Sequence, residues 1–218
     1  MRVFPSIAAA RTLAAVCVAC ALLAACSVLP KREAVQAWQP PESRSGAVVP
    51  GADFSLRVDT PNVTGLLDQT GIVVLPAPGE VSTYGGARWS EAPALLIRHR
   101  LVDAFMAAGL PQVTTDDDRF NADYVLSGDL RAFQSEYRAG APVVVVRLDA
   151  QLRRGFSRRL LATHSFVVTT TPSGVDVPQI VAAFGTADDQ LAAQAVAWVA
   201  DQVKRAPAGA VAPAPRKR

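Results

Sequence analysis

The apolar positions of this chain follow two rhythms. From Tyr124 onward they recur every second residue. Tyr124, Leu126, Gly128, Leu130 and Ala132 share one side, with Val125, Ser127, Asp129 and Arg131 on the other. Val144, Val146, Leu148, Ala150 and Leu152 repeat the pattern against Arg147, Asp149 and Gln151. A period of two is that of a strand with one buried face. A third strand is predicted from Leu160 to about Thr170. Short turns at Ala139-Gly140-Ala141 and around Gly155 predict that the three are antiparallel neighbours. Earlier, Phe54-Ser55-Leu56-Arg57-Val58 alternates, and Gly71-Ile72-Val73-Val74-Leu75-Pro76 is a wholly apolar run between breakers. The first suits a half-buried strand and the second a strand covered on both faces.

The other rhythm is helical. Ser90 is the expected N-cap of a first long helix, with Glu91 and Pro93 in its first turn. Ala92, Leu95, Leu96, Val102, Phe105 and Met106 form its expected apolar stripe, and Arg98, Arg100 and Asp103 fall off it. Gly109 and Pro111 stop it, and a short strand is expected next. A second long helix is expected from the N-cap Asp176, with Ile180, Val181, Phe184, Leu191, Ala195, Trp198 and Val199 inward. Asp188, Asp189, Gln194, Asp201 and Gln202 mark its wet side. Two helices with one apolar stripe each need a common surface. The fold class expected is α+β, a mostly antiparallel sheet with two long helices packed on one face.

The first residues change the picture. Arg2 and Arg11 precede a nearly unbroken apolar run from Thr12 to Ala25, the order of charge and hydrophobicity found in a secretion signal. The run is short for a membrane span, which needs about 20 apolar residues. It ends in Leu23-Ala24-Ala25-Cys26, which resembles the lipobox of bacterial lipoproteins. That resemblance implies cleavage between Ala25 and Cys26, a diacylglyceryl group on the Cys26 thiol and an acyl chain on the new amine. Cys17 and Cys20 fit the pattern less well. Ser27, rather than an acid, follows the cysteine, which implies the periplasmic face of the outer membrane. The other reading is a simple secreted protein with an incidental cysteine.

The expected organisation is a lipoprotein signal at residues 1–25, an acylated N-terminus and flexible tether at 26–52, one domain at 53–204 and a disordered Ala/Pro-rich basic tail at 205–218. Trp38 is the tether's large aromatic residue, placed at the membrane interface or in solvent. All three cysteines lie at or before the cleavage point, so the domain has no disulfide, no thiol nucleophile and no cysteine metal ligand. The formal charge of +3 falls to +1 once Arg2 and Arg11 are removed, leaving 20 basic against 19 acidic residues. That balance gives no support to nucleic-acid binding.

Candidate chemistry is sparse. His99 lies in the first helix and His164 in mid-strand, where a histidine is usually structural. No phosphate loop, dinucleotide fingerprint, nucleophile elbow or zinc-protease motif occurs. No cofactor is expected beyond the lipid on Cys26, and no metal; Asp116-Asp117-Asp118 reads as a solvated turn rather than a cation site. Two stretches carry a binding reading. Tyr84-Gly85-Gly86-Ala87-Arg88-Trp89 places Tyr84, Arg88 and Trp89, residue types enriched at binding hot spots, on an expected loop at the helix entrance. The competing reading packs Trp89 beneath the helix N-terminus. The second stretch, Arg153-Arg154-Gly155-Phe156-Ser157-Arg158-Arg159, is a hairpin turn with Arg153, Arg154, Arg158 and Arg159 around Phe156. It would touch anionic headgroups or an acidic partner, or be merely solvated.

Taken together, several motifs resemble a known family. They are the lipobox, the apolar run before Pro76, and Arg88-Trp89-Ser90-Glu91-Ala92-Pro93 leading into the helix. Asp123-Tyr124-Val125-Leu126-Ser127-Gly128-Asp129-Leu130-Arg131-Ala132-Phe133, Phe166, Ala183-Phe184 and Ala197-Trp198-Val199 complete the match. From about Phe54 to Val203 the chain resembles the ABC-type transport auxiliary lipoproteins, the PqiC-like family. The resemblance implies a non-enzymatic role beside an MCE-domain protein and an ABC permease and ATPase that move phospholipid or a sterol-like lipid across the envelope. Homo-oligomeric rings are consistent with it. The competing classes are a structural or assembly lipoprotein of TolB-like or LptE-like role, and an enzyme, for which the required constellation is missing from the sequence.

Overall fold

The computed structural model describes residues 34–42, 53–118 and 120–206. The leader, Ala25, Cys26 and the basic tail lie outside the described residues. The order is β1 (Gln36–Trp38), β2 (Ser55–Val58), a 3-10 turn (Gly65–Asp68), β3 (Gly71–Leu75), β4 (Ser82–Trp89) and α1 (Pro93–Ala107). Then come β5 (Gln112–Thr115), β6 (Tyr124–Arg138), β7 (Ala141–Arg154), β8 (Leu160–Thr170) and α2 (Val177–Arg205). This is the expected α+β fold, with both helices against one eight-stranded sheet.

The long strand β6 organises the sheet. One edge pairs antiparallel with β7 along its whole length, and β7 pairs antiparallel with β8. The other edge is shared. Its N-terminal part takes β2 in parallel, followed by β5, and its C-terminal part takes β3 in parallel, followed by β4 and β1. The long hairpin ladders make most of the pairing antiparallel, and four short pairings are parallel. The alternation in β7 appears as read: Val144, Val146, Leu148, Ala150 and Leu152 are buried. In β6 the alternation breaks. Leu130 faces Leu148, but Ala132 faces Arg147, so Arg131 is an extra residue at a β-bulge. Beyond it Phe133 and Ser135 take the core face, and Ala132, expected beside Leu130, is opposite.

Phe133 packs with Trp89 of β4 and Phe184 of α2, with ring centroids 5.5, 5.0 and 4.7 Å apart. Each such side chain, fully buried, contributes about 1.5–3 kcal/mol of transfer free energy. The inward face of α1 differs from expectation. Ile97, Leu101, Ala104 and Phe105 are buried, while Met106 is 60% exposed. The helix also starts later, at Pro93, with Ala92 extended before it. Proline disfavours helical backbone in the residue it follows, and its missing N–H suits the first helical position. The Ser90 N–H instead donates to the Trp38 carbonyl. α2 begins at the expected Asp176, whose N–H donates to the Gln179 side chain at 3.1 Å, half of a capping box.

Two stretches expected to lack structure lie in the sheet. The 84–89 stretch, expected as a loop, belongs to β4, paired with β3 on one side and β1 on the other. Residues 36–41, expected as tether, enter the domain: Trp38 pairs with Trp89, and Pro40 is buried. The following strap crosses α2 at Gly185, where a Cβ would sit 2.6 Å from Pro41 Cδ. The helix accepts a glycine there, at about 1 kcal/mol relative to alanine, so that another segment can lie against it.

Candidate functional site

The helix-covered and open faces of the sheet use charge differently. On the helix side, residues expected to be wet are buried. Arg98 of α1 is 8% exposed and pairs with Asp116 at 3.0 Å and Asp117 at 2.8 Å. Burial pushes the Asp116 carboxyl up, but the Arg98 guanidinium and the Thr60 backbone and hydroxyl outweigh it and hold it below the usual carboxylate range. Asp118 accepts from the Thr115 N–H at 2.9 Å. The triple-aspartate segment is thus an arginine partner and a turn, and no group of three or more metal-ligating side chains gathers among the described residues.

Arg100, 8% exposed, donates to Asp189 at 2.8 Å and also to the Pro41 carbonyl. It ties α1, α2 and the N-terminal strap together. Beside it Asp188 is 1% exposed, and burial pushes its carboxyl well above the ordinary value against the opposing pull of Arg100. An uncompensated charge is costly inside a protein, so a buried carboxyl gains by holding its proton.

The open face carries the cationic hairpin. Cross-strand register places Arg57 of β2, Val125 of β6 and Arg153 of β7 in one row. Ser127 and Gln151 form a neighbouring pair, and Gln151 accepts from Arg153. The β7–β8 turn rises at the end of this row. Its Gly155 N–H donates to the Asp123 carbonyl at 2.8 Å, and the Arg154 N–H donates to the Arg159 carbonyl at 2.9 Å. A side chain at 155 would collide with the Ala122 carbonyl, so glycine allows the turn to close against the 121–123 segment. The result is a cleft of about 270 Å³ floored by Val125 and Ser127 and walled by Asn121 and the turn.

Among the described residues, four arginines line this cleft, Arg57, Arg153, Arg154 and Arg158, against one carboxylate, Asp59. Asp59 is engaged by Arg57 at 2.7 Å. The Arg154 guanidinium lies 5.4 Å from the Tyr124 ring centroid, and the register that pairs Arg154 with Tyr124 turns it to the helix side, opposite to Arg153. Arg158 holds a left-handed backbone, φ 54°. Such strain in a residue other than glycine costs about 1–3 kcal/mol and concentrates at functional sites. Phe156, at the outer end of the turn, is 83% exposed, and Leu160 is 50% exposed. Arg159 is also exposed but does not line the cleft.

The other candidate stretch does not converge. Trp89 is fully buried in the aromatic cluster, so it offers no surface. Tyr84 is half-buried and hydrogen-bonded to Ser135 at 3.1 Å; burial raises its pKa although the Ser135 bond opposes the shift. Arg88 alone is well exposed. Of the histidines, His99 pairs with Glu91 at 3.0 Å, and His164 packs against Phe166 and Trp198, with ring centroids 4.5 and 5.8 Å away.

The sequence reading missed Arg57, Asn121 and Ser127. Arg57 had a signal, since the alternation in 54–58 sets it on the polar side of its strand. Its proximity to Arg153 needed the pairing of β2 with β6.

The described part of the molecule is therefore an α+β domain with a helix-covered core and a cationic cleft on its bare face. Residues 37–196 match the model of the ABC-type transport auxiliary lipoprotein component, and the chain belongs to that family. Its fold is similar to that of protein XCC0632 from Xanthomonas campestris, of the DUF330 family. The two are 26% identical over 78% of this chain and 98% of that one, with a TM-score of 0.70. A second crystal structure, of an uncharacterized protein, matches with 16% identity over 74% of this chain and 96% of that one, TM-score 0.59. No curated protein matches the chain. This is thus an auxiliary lipoprotein of ABC-type transport, and the family is not an enzyme family.

Proposed function

We propose that this lipoprotein is held by lipid on Cys26 at the periplasmic face of the outer membrane, where it docks the end of an MCE-type, ABC-driven lipid conduit. The family match carries the reading. The Leu23–Cys26 lipobox, Ser27 after the cysteine and a domain small enough to fill its own core support it. The N-acyl and S-diacylglycerol chains on Cys26 supply a durable anchor, since each buried methylene contributes about 0.8 kcal/mol. Phospholipid is the economical cargo for a bacterial envelope. The partners are an MCE-domain protein with its permease and ATPase, met by exposed residues such as Arg88 and Arg159.

Crosslinking in intact envelopes followed by capture of the acylated protein tests this, with Cys26→Ala as control. Recovery of an MCE protein with its permease is expected from the native chain, and loss of the variant from the membrane fraction. Capture of an outer-membrane barrel or a cell-wall component instead would move the chain to an assembly role.

A further inference from the structure

The cationic cleft has the chemistry of an anion site. Arg153 and Arg158 approach it from one turn and Arg57 from β2, and among the described residues the single carboxylate in its lining is already paired with Arg57. Guanidinium groups in this density recognise phosphate through charge-assisted hydrogen bonds. At about 270 Å³ the cleft lies below the range of sites that enclose a whole drug-sized molecule and suits a headgroup. Beside it, Phe156 holds 83% and Leu160 50% of their surface in the open. An exposed aromatic among arginines is the composition of a membrane-interface contact, the ring among acyl chains and the cations at phosphate depth.

We propose that the cleft holds the phosphate of an anionic phospholipid headgroup, with Arg153 and Arg158 as donors and Phe156 seated in the adjoining bilayer. The cleft does more than attract the surface as a whole. Gly155 pins the turn to the 121–123 segment, and Arg158 is held in a left-handed backbone at its edge. The site deepens the anchored reading above and rests on it for access to a bilayer. Cys26 precedes Gln36, the first paired residue among those described, by ten residues, a reach of up to about 33–36 Å if extended. Along β6 the cleft end at Tyr124 is eight residues, about 26 Å, from the level of Ala132. One membrane can therefore meet both anchor and hairpin.

The test uses the full acylated protein in nanodiscs of phosphatidylcholine, with increasing phosphatidylglycerol, and follows hydrogen exchange at 153–160. Phosphatidylglycerol should slow exchange there. The amount needed for half-protection should rise about fivefold for each of Arg153→Ser and Arg158→Gly. Arg158→Gly also keeps the turn, since glycine adopts the same backbone without strain. Arg131→Ser, which removes a cation from the same face outside the cleft, should leave the midpoint in place, and an equal shift there would overturn a built site. Slowing by inorganic phosphate in phosphatidylcholine discs, with no response to phosphatidylglycerol, would overturn the lipid source. Failure of the chain to join any disc would sink the anchor instead. Joining with unchanged exchange at 153–160 would sink the cleft.

Discussion

Arginine and aspartate occur on both sides of this sheet and do different work there. On the helix side Arg98 and Arg100 are each 8% exposed, and both are held by two acceptors or more. At the β7–β8 turn Arg153, Arg158 and Arg159 are exposed around an exposed Phe156. Water makes the difference. A buried cation must find its partners within the protein, whereas an exposed one is solvated and can exchange water or a weak surface contact for another molecule. Buried charge here reports how the chain is tied together, and exposed charge reports what it can meet.

Breaking the buried side should have the largest effect. Arg100→Ala leaves Asp189 without its cation, Asp188 without its favourable field and the Pro41 carbonyl without a donor. A loss of about 3–5 kcal/mol is expected in urea unfolding, whereas Arg153→Ser should stay within about 0.5 kcal/mol of wild type. A large loss in both would erase the contrast.

Next in size is Gly185→Ala. Helix propensity alone would favour it by about 1 kcal/mol. The Cβ contact with Pro41 predicts a net loss instead, about 1–3 kcal/mol for an overpacked contact. Hydrogen exchange at residues 36–38 should quicken, and a stabilised variant with unchanged exchange would remove the strap from the domain's stability.

A third prediction concerns Asp188. Its folded-state pKa is raised, so its contribution to stability is fully present below the unfolded value of about 3.9 and is lost as pH rises through the folded one. Asp188→Asn should remove this fall, which has a slope of at most about 1.4 kcal/mol per pH unit. Unfolding curves across the acid range measure it, and parallel profiles for the two proteins would contradict a protonated buried carboxyl. The smallest effect is on the exposed side. Arg158→Gly should raise stability by about 1 kcal/mol by relieving the left-handed backbone, seen as a higher melting temperature.

How much was legible varied with how local the cause was. The limits of β8, the inward residues of β7 and the Asp176 start of α2 follow from neighbours a few positions apart. Arg98, Arg100 and Asp188 looked like surface residues because polarity is the only signal a single stretch offers. Their partners lie 18, 89 and 88 residues away, as Asp116, Asp189 and Arg100. Ala132 was misplaced because a bulge leaves no periodic trace until strand pairing reveals it. Of the cleft, the hairpin arginines were visible as a cluster, while Arg57 and Asn121 join it only through β2 and the segment before β6.

The amino-acid sequence by itself determined the period-two strands, the two helices, the cysteine-free domain after Cys26 and the cationic turn at 153–159. Alternation, capping and turn chemistry act over a few residues and are written in their order. Tertiary structure alone decided which charges were buried, that residues 36–41 belong to the sheet, and that Arg57 and the hairpin line one cleft. Those outcomes depend on desolvation and on approaches between segments distant in the chain, which no local pattern encodes.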